Sequence, residues 1–201
     1  MQVKFTVYGL IALLLLLTGA GWWLVNGGAS LPGESVADQG REHWEHAKLD
    51  EFKYNSNPPT SGPHDPDWIR PGIYGTPQDK YKLIHSLEHG YVVVHYNCAL
   101  PISNFEFLIS KVNAHEDEGD LDGDSTPSAT FKADCSLAQV LADWGKKMEL
   151  KKLIVQVNPT VDKPIVLVAW GRILKMDSFD EKLAEKFVKA FRNKGPEATM
   201  E

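Results

Sequence analysis

Residues 5–25 form a run of 21 residues without a charged side chain, which includes five consecutive leucines at 13–17. At about 1.5 Å per residue, a helix of this length spans roughly 30 Å, the thickness of a bilayer's hydrocarbon core. Trp22 and Trp23 at its far end suit an interfacial aromatic belt. The sequence therefore predicts an N-terminal transmembrane helix within residues 1–25, and a cleaved signal peptide is the alternative.

Both interpretations of the N-terminus export the rest of the chain. We expect a single-pass protein of the cell membrane, with its C-terminal domain in the periplasm or outside the cell. Residues 26–42 contain several glycine and small residues and predict a linker. Residues 43–197 are long enough for one globular domain with a single core. The net charge of −6 disfavours nucleic-acid binding, which normally needs a basic face.

The two cysteines, Cys98 and Cys135, fit an oxidising compartment, where an even number usually means a disulfide. We expect them to pair with each other. The alternative is that Cys98 is a thiolate ligand of a metal, although the chain has no Cys-x-x-Cys spacing.

Hydrophobic periodicity and turn residues predict an α+β fold, with helices packed on a small and mostly antiparallel sheet. A ferredoxin-like arrangement is one version of this class. The predicted elements are a short polar helix (41–51), an irregular loop rich in proline and glycine (55–80), a strand (91–96), a helix (103–112), a helix capped by Ser136 and ending near Gly145, two strands (152–157 and 165–173) and a final helix (178–193).

Histidines are concentrated in one stretch, His85-Ser-Leu-Glu88-His89, which follows a proline-rich loop that contains His64. Histidines four apart project from one face of a helix or strand, so His85 and His89 can reach one ion. A proline-stiffened loop can hold His64 as the third ligand, and Glu88 is a further ligand or a base. Imidazole ligands favour zinc or copper.

Three other interpretations of this stretch remain open, and one of them is proton-transfer catalysis without a metal. The residues can form a buried polar network that pins the loop to the sheet, in which case no metal is required. This network would comprise Thr60, Ser61, His64, His85, Glu88 and His89. The pattern His-x-x-Glu-His is also typical of inverted-zincin metallopeptidases, but those enzymes place it inside a long helix, whereas Gly90 and a β-branched run follow here. A further pair, His43 and His46, could add ligands to the same ion or form a minor independent site.

The acidic run after His115 suggests calcium, because oxygen ligands alternate around a glycine there. The alternating positions are Glu118, Asp120, Asp122 and Asp124. The twelfth position of such a loop is Ala129 instead of a glutamate, so the match is partial, and a solvated acidic loop is the alternative.

Five short motifs resemble a mainly bacterial family known only as a domain of unknown function, number 3105. They are residues 58–64 (PPTSGPH), 72–74 (GIY), 85–90 (HSLEHG), 169–172 (AWGR) and 196–197 (PE). The resemblance covers roughly residues 43–197 and implies a membrane-anchored exported domain without an established activity.

Taken together, the sequence predicts an extracytoplasmic domain that binds zinc or copper through His64, His85, Glu88 and His89. A storage, delivery or sensing role fits this prediction better than catalysis. The rival is a non-catalytic envelope interaction module whose histidine network is structural.

Overall fold

The computed structural model describes residues 30–103, 135–197 and 199, and these contain six strands and four helices. The strands are β1 (Glu34–Ser35), β2 (Gly72–Tyr74), β3 (Val92–Tyr96), β4 (Leu153–Val157), β5 (Ile165–Ala169) and β6 (Arg172–Met176). The helices are α1 (His46–Leu49), α2 (Lys80–Glu88), α3 (Ser136–Lys147) and α4 (Glu181–Phe191). The compact unit Pro32–Glu201 contains all of them.

The six strands form one mixed sheet in the order β1-β6-β5-β3-β4-β2. β3 lies at its centre, antiparallel to β5 and parallel to β4. The register places Val94 opposite Val155 on one side and opposite Leu167 on the other. Every residue of β3 and β5 is buried, as expected for central strands that are covered on both faces.

Alternate residues of β3 point to two separate cores because side chains of a strand alternate between faces. Val92 and Val94 join a core formed with α3 and α4, which includes Trp144 and Phe187. On the other face Val93 packs with Leu83 and Leu87 of α2, with Ile154 and with Val166. The second core fixes α2 against the sheet, and α2 carries most of the predicted metal ligands.

The predicted α+β class agrees with the structure, whose sheet is mixed. Three of its five strand pairs are antiparallel, and two, β2 with β4 and β3 with β4, are parallel. A ferredoxin-like arrangement would place another strand between the two strands of a β-α-β unit. Here β3 and β4, joined by the connection that contains α3, are direct neighbours.

The described part of the chain gives no support to the predicted transmembrane helix or to the single-pass membrane localisation. Within residues 30–103 and 135–197, no helix has the length and apolar character needed to cross a membrane. The longest helix there, α3, has 12 residues, whereas a span needs about 20. Residues 5–25 themselves lie outside the described part of the chain.

The predicted disulfide is confirmed. Cys98 and Cys135 are bonded, with their Cα atoms 5.7 Å apart and 37 positions apart in the chain. The bond joins the turn after β3 to the N-terminus of α3. Cys98 is therefore not a metal ligand.

Several element boundaries differ from those predicted. The strand expected over 165–173 is a hairpin, because the chain reverses at Trp170 and at Gly171, whose φ is +64°. Cys135 and not Ser136 occupies the N-cap of α3. The helix expected over 41–51 is limited to α1, and α2 had not been predicted. The helix expected over 103–112 lies beyond the described residues except for Ser103.

Candidate metal centre

Helix α2 places three of the predicted ligands at its C-terminal end. The Asp79 carboxylate caps the N-terminus by accepting hydrogen bonds from the backbone N–H groups of Tyr81 and Lys82. His85 and Glu88 occupy the last turn, and His89 is the C-cap residue. Gly90, with φ at +79°, then ends the helix in a conformation that favours glycine. The long helix that the peptidase motif requires is not found at these residues.

The proline-rich loop is aligned with the segment before α1 by backbone hydrogen bonds. The His64 N–H donates to the carbonyl of Glu42 at 3.0 Å, and the Trp44 N–H donates to the carbonyl of His64 at 2.9 Å. These bonds form an isolated parallel bridge between His43 and His64. The bridge brings the imidazole rings of His43 and His64 to a centroid separation of 4.9 Å.

The His64 side chain is completely buried and has a defined tautomer. Its Nδ1 lies 2.9 Å from the carbonyl oxygen of Gly62, which can only accept, so Nδ1 carries the proton. Its Nε2 lies 3.0 Å from Oε2 of Glu88, which is also buried. Burial lowers the pKa of His64, although the Gly62 carbonyl and the Glu88 carboxylate oppose this effect. Burial therefore favours the neutral ring, which would leave the Nε2 lone pair facing the Glu88 carboxyl group.

The His85 side chain repeats this arrangement. Its Nδ1 donates to the backbone carbonyl of Asp65 at 2.9 Å, which leaves the lone pair on Nε2. That Nε2 lies 3.0 Å from Nε2 of His89. An Nδ1–H donated to a backbone carbonyl is the outer-shell contact that typically orients a histidine ligand of a metal.

One nitrogen or oxygen from each of His43, His64, His85 and Glu88 lies within 4.8 Å of the other three. We call these four residues the histidine–glutamate cluster. The Nε2 of His43 is 3.7 Å from Oε2 of Glu88, and 47% of the His43 side chain is exposed. Zinc–nitrogen distances of about 2.0–2.1 Å imply ligand atoms about 3.3 Å apart in a tetrahedral site. The contacts to Glu88 bracket this spacing, so the cluster could hold a metal ion.

His89 belongs to a second group, which also contains His85 and Glu197. The Nε2 of His89 lies 3.6 Å from Oε2 of Glu197, whose side chain is half exposed. His85 is thus common to both groups. The structure divides the four predicted ligands between two sets, because Glu88 and His64 lie in one and His89 lies in the other.

Two tryptophans flank the groups. The Trp68 ring lies 5.8 Å from the His85 ring and 5.4 Å from the His89 ring, and it is 40% exposed. The Trp170 ring lies edge-on to His64 at 6.3 Å. An apolar surround of this kind limits the access of water and strengthens electrostatic interactions within a site.

Two further histidines, His46 and His95, lie apart from the cluster. The His46 Nδ1 is 2.8 Å from Oδ2 of Asp65, and the hydrogen bond to Asp65 raises the pKa of His46. The buried Nδ1 of His95 accepts hydrogen bonds from the side-chain amides of Gln156 and Asn158. His95 also lines a cavity of about 260 Å³ that none of the cluster residues lines. The calcium positions, Glu118, Asp120, Asp122 and Asp124, lie outside the described residues.

Sequence reasoning left His43 as one of several options and missed Glu197 altogether. Both residues reach the site through long-range pairing of irregular segments. The Glu197 N–H donates to the carbonyl of Glu88 at 3.1 Å, and the Asn193 N–H donates to the carbonyl of Gly90 at 2.8 Å. The closing Pro-Glu motif was the only sequence signal for Glu197, and it carried no indication of a contact.

The fold and the site together define an α+β domain with a buried histidine–glutamate cluster on one end of a short helix. The chain belongs to the family described as "Protein of unknown function (DUF3105)", whose model matches residues 46–201. The resemblance seen in the motifs is thereby confirmed. No curated protein and no solved structure shows significant similarity to the chain. His64, His85 and Glu88 fall within the matched residues, and His43 lies just before them.

Proposed function

We propose that this domain binds one transition-metal ion, zinc or copper, through His43, His64, His85 and Glu88, and that it serves in metal storage, delivery or sensing. The observation that carries the proposal is the 3.0 Å distance between the buried Nε2 of His64 and Oε2 of Glu88. Three further features support it, namely the tautomers of the two histidines, the chemistry of the donor set and the partial exposure of one ligand.

The tautomers leave a site that is short of positive charge. His64 and His85 each donate their only ring proton to a backbone carbonyl, so both Nε2 atoms can only accept. A neutral imidazole nitrogen and an ionised carboxylate repel each other at hydrogen-bond distance unless a cation lies with them. Protonation of His64 would supply that cation, but its burial opposes the charged ring. A bound metal ion satisfies all of these groups at once.

The donor set indicates which ion is held. Three imidazoles and one carboxylate suit zinc or copper, whereas calcium and magnesium prefer sites made of oxygen ligands. The described methionines that belong to a core, Met148 and Met176, lie in the one formed with α3 and α4, away from α2. A Cu(I) site built on thioethers is therefore not favoured.

The ligand number favours holding an ion over catalysis. Four protein ligands fill a tetrahedral zinc site, whereas catalytic zinc usually keeps one position for water or substrate. His43 is half exposed, so one ligand can dissociate without the core being opened. An exchangeable but protein-enclosed ion suits storage, delivery or sensing.

A titration of the full-length, metal-free chain with zinc tests the proposal. The variants are His64→Gln and His85→Gln, and the control is His46→Gln, which removes a histidine that belongs to neither group. We expect one zinc per chain in the wild type and the control. We expect a loss of affinity of at least about 100-fold in each variant, the upper end of what outer-shell changes produce.

The rival account is a metal-free polar network in an interaction module, in which Glu88 is protonated and donates to His64. It predicts no zinc binding in the wild type beyond that of the double variant His64→Gln/His85→Gln. Equal zinc affinity in the wild type and in the two single variants would also overturn the proposal. Circular dichroism of each variant shows whether the fold is retained.

A further inference from the structure

We infer that His89 and Glu197, together with His85, form a second metal position through which the ion enters and leaves the histidine–glutamate cluster. This inference rests on the proposed function and adds a route and a regulatory element to it. The C-terminal tail, residues 192–197 with Thr199, thereby becomes a functional part of the site.

The second group has the spacing of a metal site. The Nε2 atoms of His85 and His89 are 3.0 Å apart, and Oε2 of Glu197 is 3.6 Å from Nε2 of His89. Ligand atoms about 3.3 Å apart are what a tetrahedral zinc ion requires. Two imidazoles and one carboxylate are also the ligand set of several open zinc sites, in which one position stays free for exchange.

The two positions share one lone pair. The Nδ1 of His85 is committed to the Asp65 carbonyl, so its Nε2 is the only ring atom that can bind a metal. A single lone pair binds one ion at a time, so the two positions compete and the chain holds one ion in total. An ion that moves between them can keep its bond to His85 throughout, while its other ligands change.

The two positions differ in their exposure. His64 and Glu88, the ligands specific to the cluster, have 0% and 4% of their side chains exposed. Half of the Glu197 side chain is exposed, and its negative charge attracts cations from solution. The exposed carboxylate captures the ion, and the four-ligand cluster binds it more tightly.

The tail is held at this place by contacts that do not involve the Glu197 side chain. The buried Lys152 ammonium donates to the carbonyl of His89 at 3.0 Å and to the carbonyl and hydroxyl of Thr199, each at 2.8 Å. A Cβ on Gly195 would meet the backbone carbonyl oxygen of Glu88, so a glycine is required for the close approach of the tail. Substitution of the Glu197 carboxylate therefore leaves the tail docked.

The experiment compares zinc loading and release in the full-length chain by stopped-flow competition with a fluorescent zinc indicator. The variants are Glu197→Gln and His89→Gln. Glu45→Gln is the control because it removes the same charge from a surface carboxylate that pairs with Lys48 and belongs to neither group. We expect loading and release to slow by about tenfold in both variants, because the capturing charge or ligand is lost.

The equilibrium zinc affinity should stay near the wild-type value in Glu197→Gln, since a lost step on the route slows loading and release equally. The control should match the wild type in rate and affinity. Wild-type rates in both variants, or two zinc ions per chain, would overturn the second position and leave the cluster intact if His64→Gln still abolishes tight binding. Absence of zinc binding in the wild type would instead overturn the proposed function, and this inference with it.

Discussion

At the scale of single residues, the site depends on where two protons reside. The backbone carbonyls of Gly62 and Asp65 fix the ring protons of His64 and His85 on Nδ1. Both Nε2 atoms are left as acceptors, and one of them faces Glu88. A buried acceptor that faces a carboxylate with no proton between them costs free energy in the metal-free protein, and a bound ion would recover it.

The variant Glu88→Gln distinguishes a metal site from a metal-free polar network at the contact between His64 and Glu88. The glutamine amide can donate a hydrogen bond to the His64 Nε2. We therefore expect the free energy of unfolding of the metal-free variant to be about 1 kcal/mol higher than that of the wild type. Its zinc affinity should fall because a charged ligand is lost. Urea unfolding and zinc titration measure the two effects. A lower stability, with zinc affinity unchanged, would contradict the metal account.

His95 should make the protein sensitive to acid. Complete burial lowers the pKa of His95 to about 3 from its ordinary value of 6.5. The unfolded chain therefore binds a proton that the folded chain excludes, so the stabilisation is complete above pH 6.5 and is lost as the pH falls towards 3.

The expected loss is about 1.4 kcal/mol for each pH unit in that window. His95→Gln should be less stable at pH 7 and should show a shallower dependence on pH. Denaturant titrations at pH 7, 6, 5 and 4 provide the measurement. The same slope in the variant and the wild type would show that other groups carry the acid sensitivity.

At this scale the sequence predicted part of the site. His64, His85 and Glu88 were recognisable because histidines at helical spacing followed a stiff loop. His43 and Glu197 were not, because each is positioned by backbone bonds to a residue far away in the chain, His64 and Glu88 respectively. Spacing within a sequence carries no information on such contacts. The division of the ligands into two groups was unpredictable for the same reason.

At the scale of elements, three segments meet at the C-terminal end of α2. They are the proline-rich loop with His64, the segment before α1 with His43, and the tail with Glu197. The loop and the tail have no regular secondary structure at these positions, so backbone hydrogen bonds and close packing hold them. The integrity of the site therefore depends on a few glycines.

Gly90→Ala should detach the tail. A Cβ at Gly90 would lie 2.8 Å from the Cα of Asn193, and φ is +79°. Gly40→Ala is a matched control, since φ is +89° there but the nearest atom is the flexible Glu42 side chain at 3.4 Å. We expect the control to lose about 1 kcal/mol from backbone strain and Gly90→Ala to lose at least 1–2 kcal/mol more.

Thermal unfolding of the two glycine variants measures this difference. Limited proteolysis near residue 193 should be faster in Gly90→Ala than in Gly40→Ala. Equal losses of stability would show that backbone strain alone, without the contact to the tail, determines the effect.

The sequence predicted β3, β4, α3 and α4, gave α1 longer bounds, and merged β5 and β6 into one strand. It did not predict β1, β2 or α2. Seven of the nine residues of α2 are buried, including the polar Ser86 and Glu88, so this helix has no solvated face. Helix prediction depends on an alternation between apolar and polar faces, and that signal is absent here. Only the Asp79 cap and the glycine at position 90 marked its ends.

At the scale of the whole molecule, the mixed sheet separates two cores. The disulfide lies beside the core formed with α3 and α4, against which Cys135 packs. Strand pairing is decided by contacts between distant segments, and the local patterns could not show that β4 lies parallel to β3. The α+β fold class could be predicted from the sequence, whereas the strand order could not. Within residues 30–103 and 135–197 no helix is long and apolar enough to cross a membrane, and the expected membrane helix at residues 5–25 lies outside them.

Removal of the disulfide should destabilise the molecule. Cys98 and Cys135 are 37 positions apart, and a loop of this size contributes about 4 kcal/mol by restricting the unfolded chain. We expect the double variant Cys98→Ser/Cys135→Ser to lose roughly this amount in urea unfolding. Zinc stoichiometry should be unchanged, because neither cysteine belongs to the metal groups. A loss below about 1 kcal/mol would contradict the expectation that the disulfide stabilises the protein by restricting the unfolded chain.

Elemental analysis of the full-length chain, purified without chelator and without a polyhistidine tag, tests the central claim most directly. The reference is the double variant His64→Gln/His85→Gln, folded to the same extent. The account predicts about one zinc or copper ion per chain in the wild type and none in the variant. No metal in the wild type, even after equilibration with both ions, would contradict it and leave the histidines with a structural role.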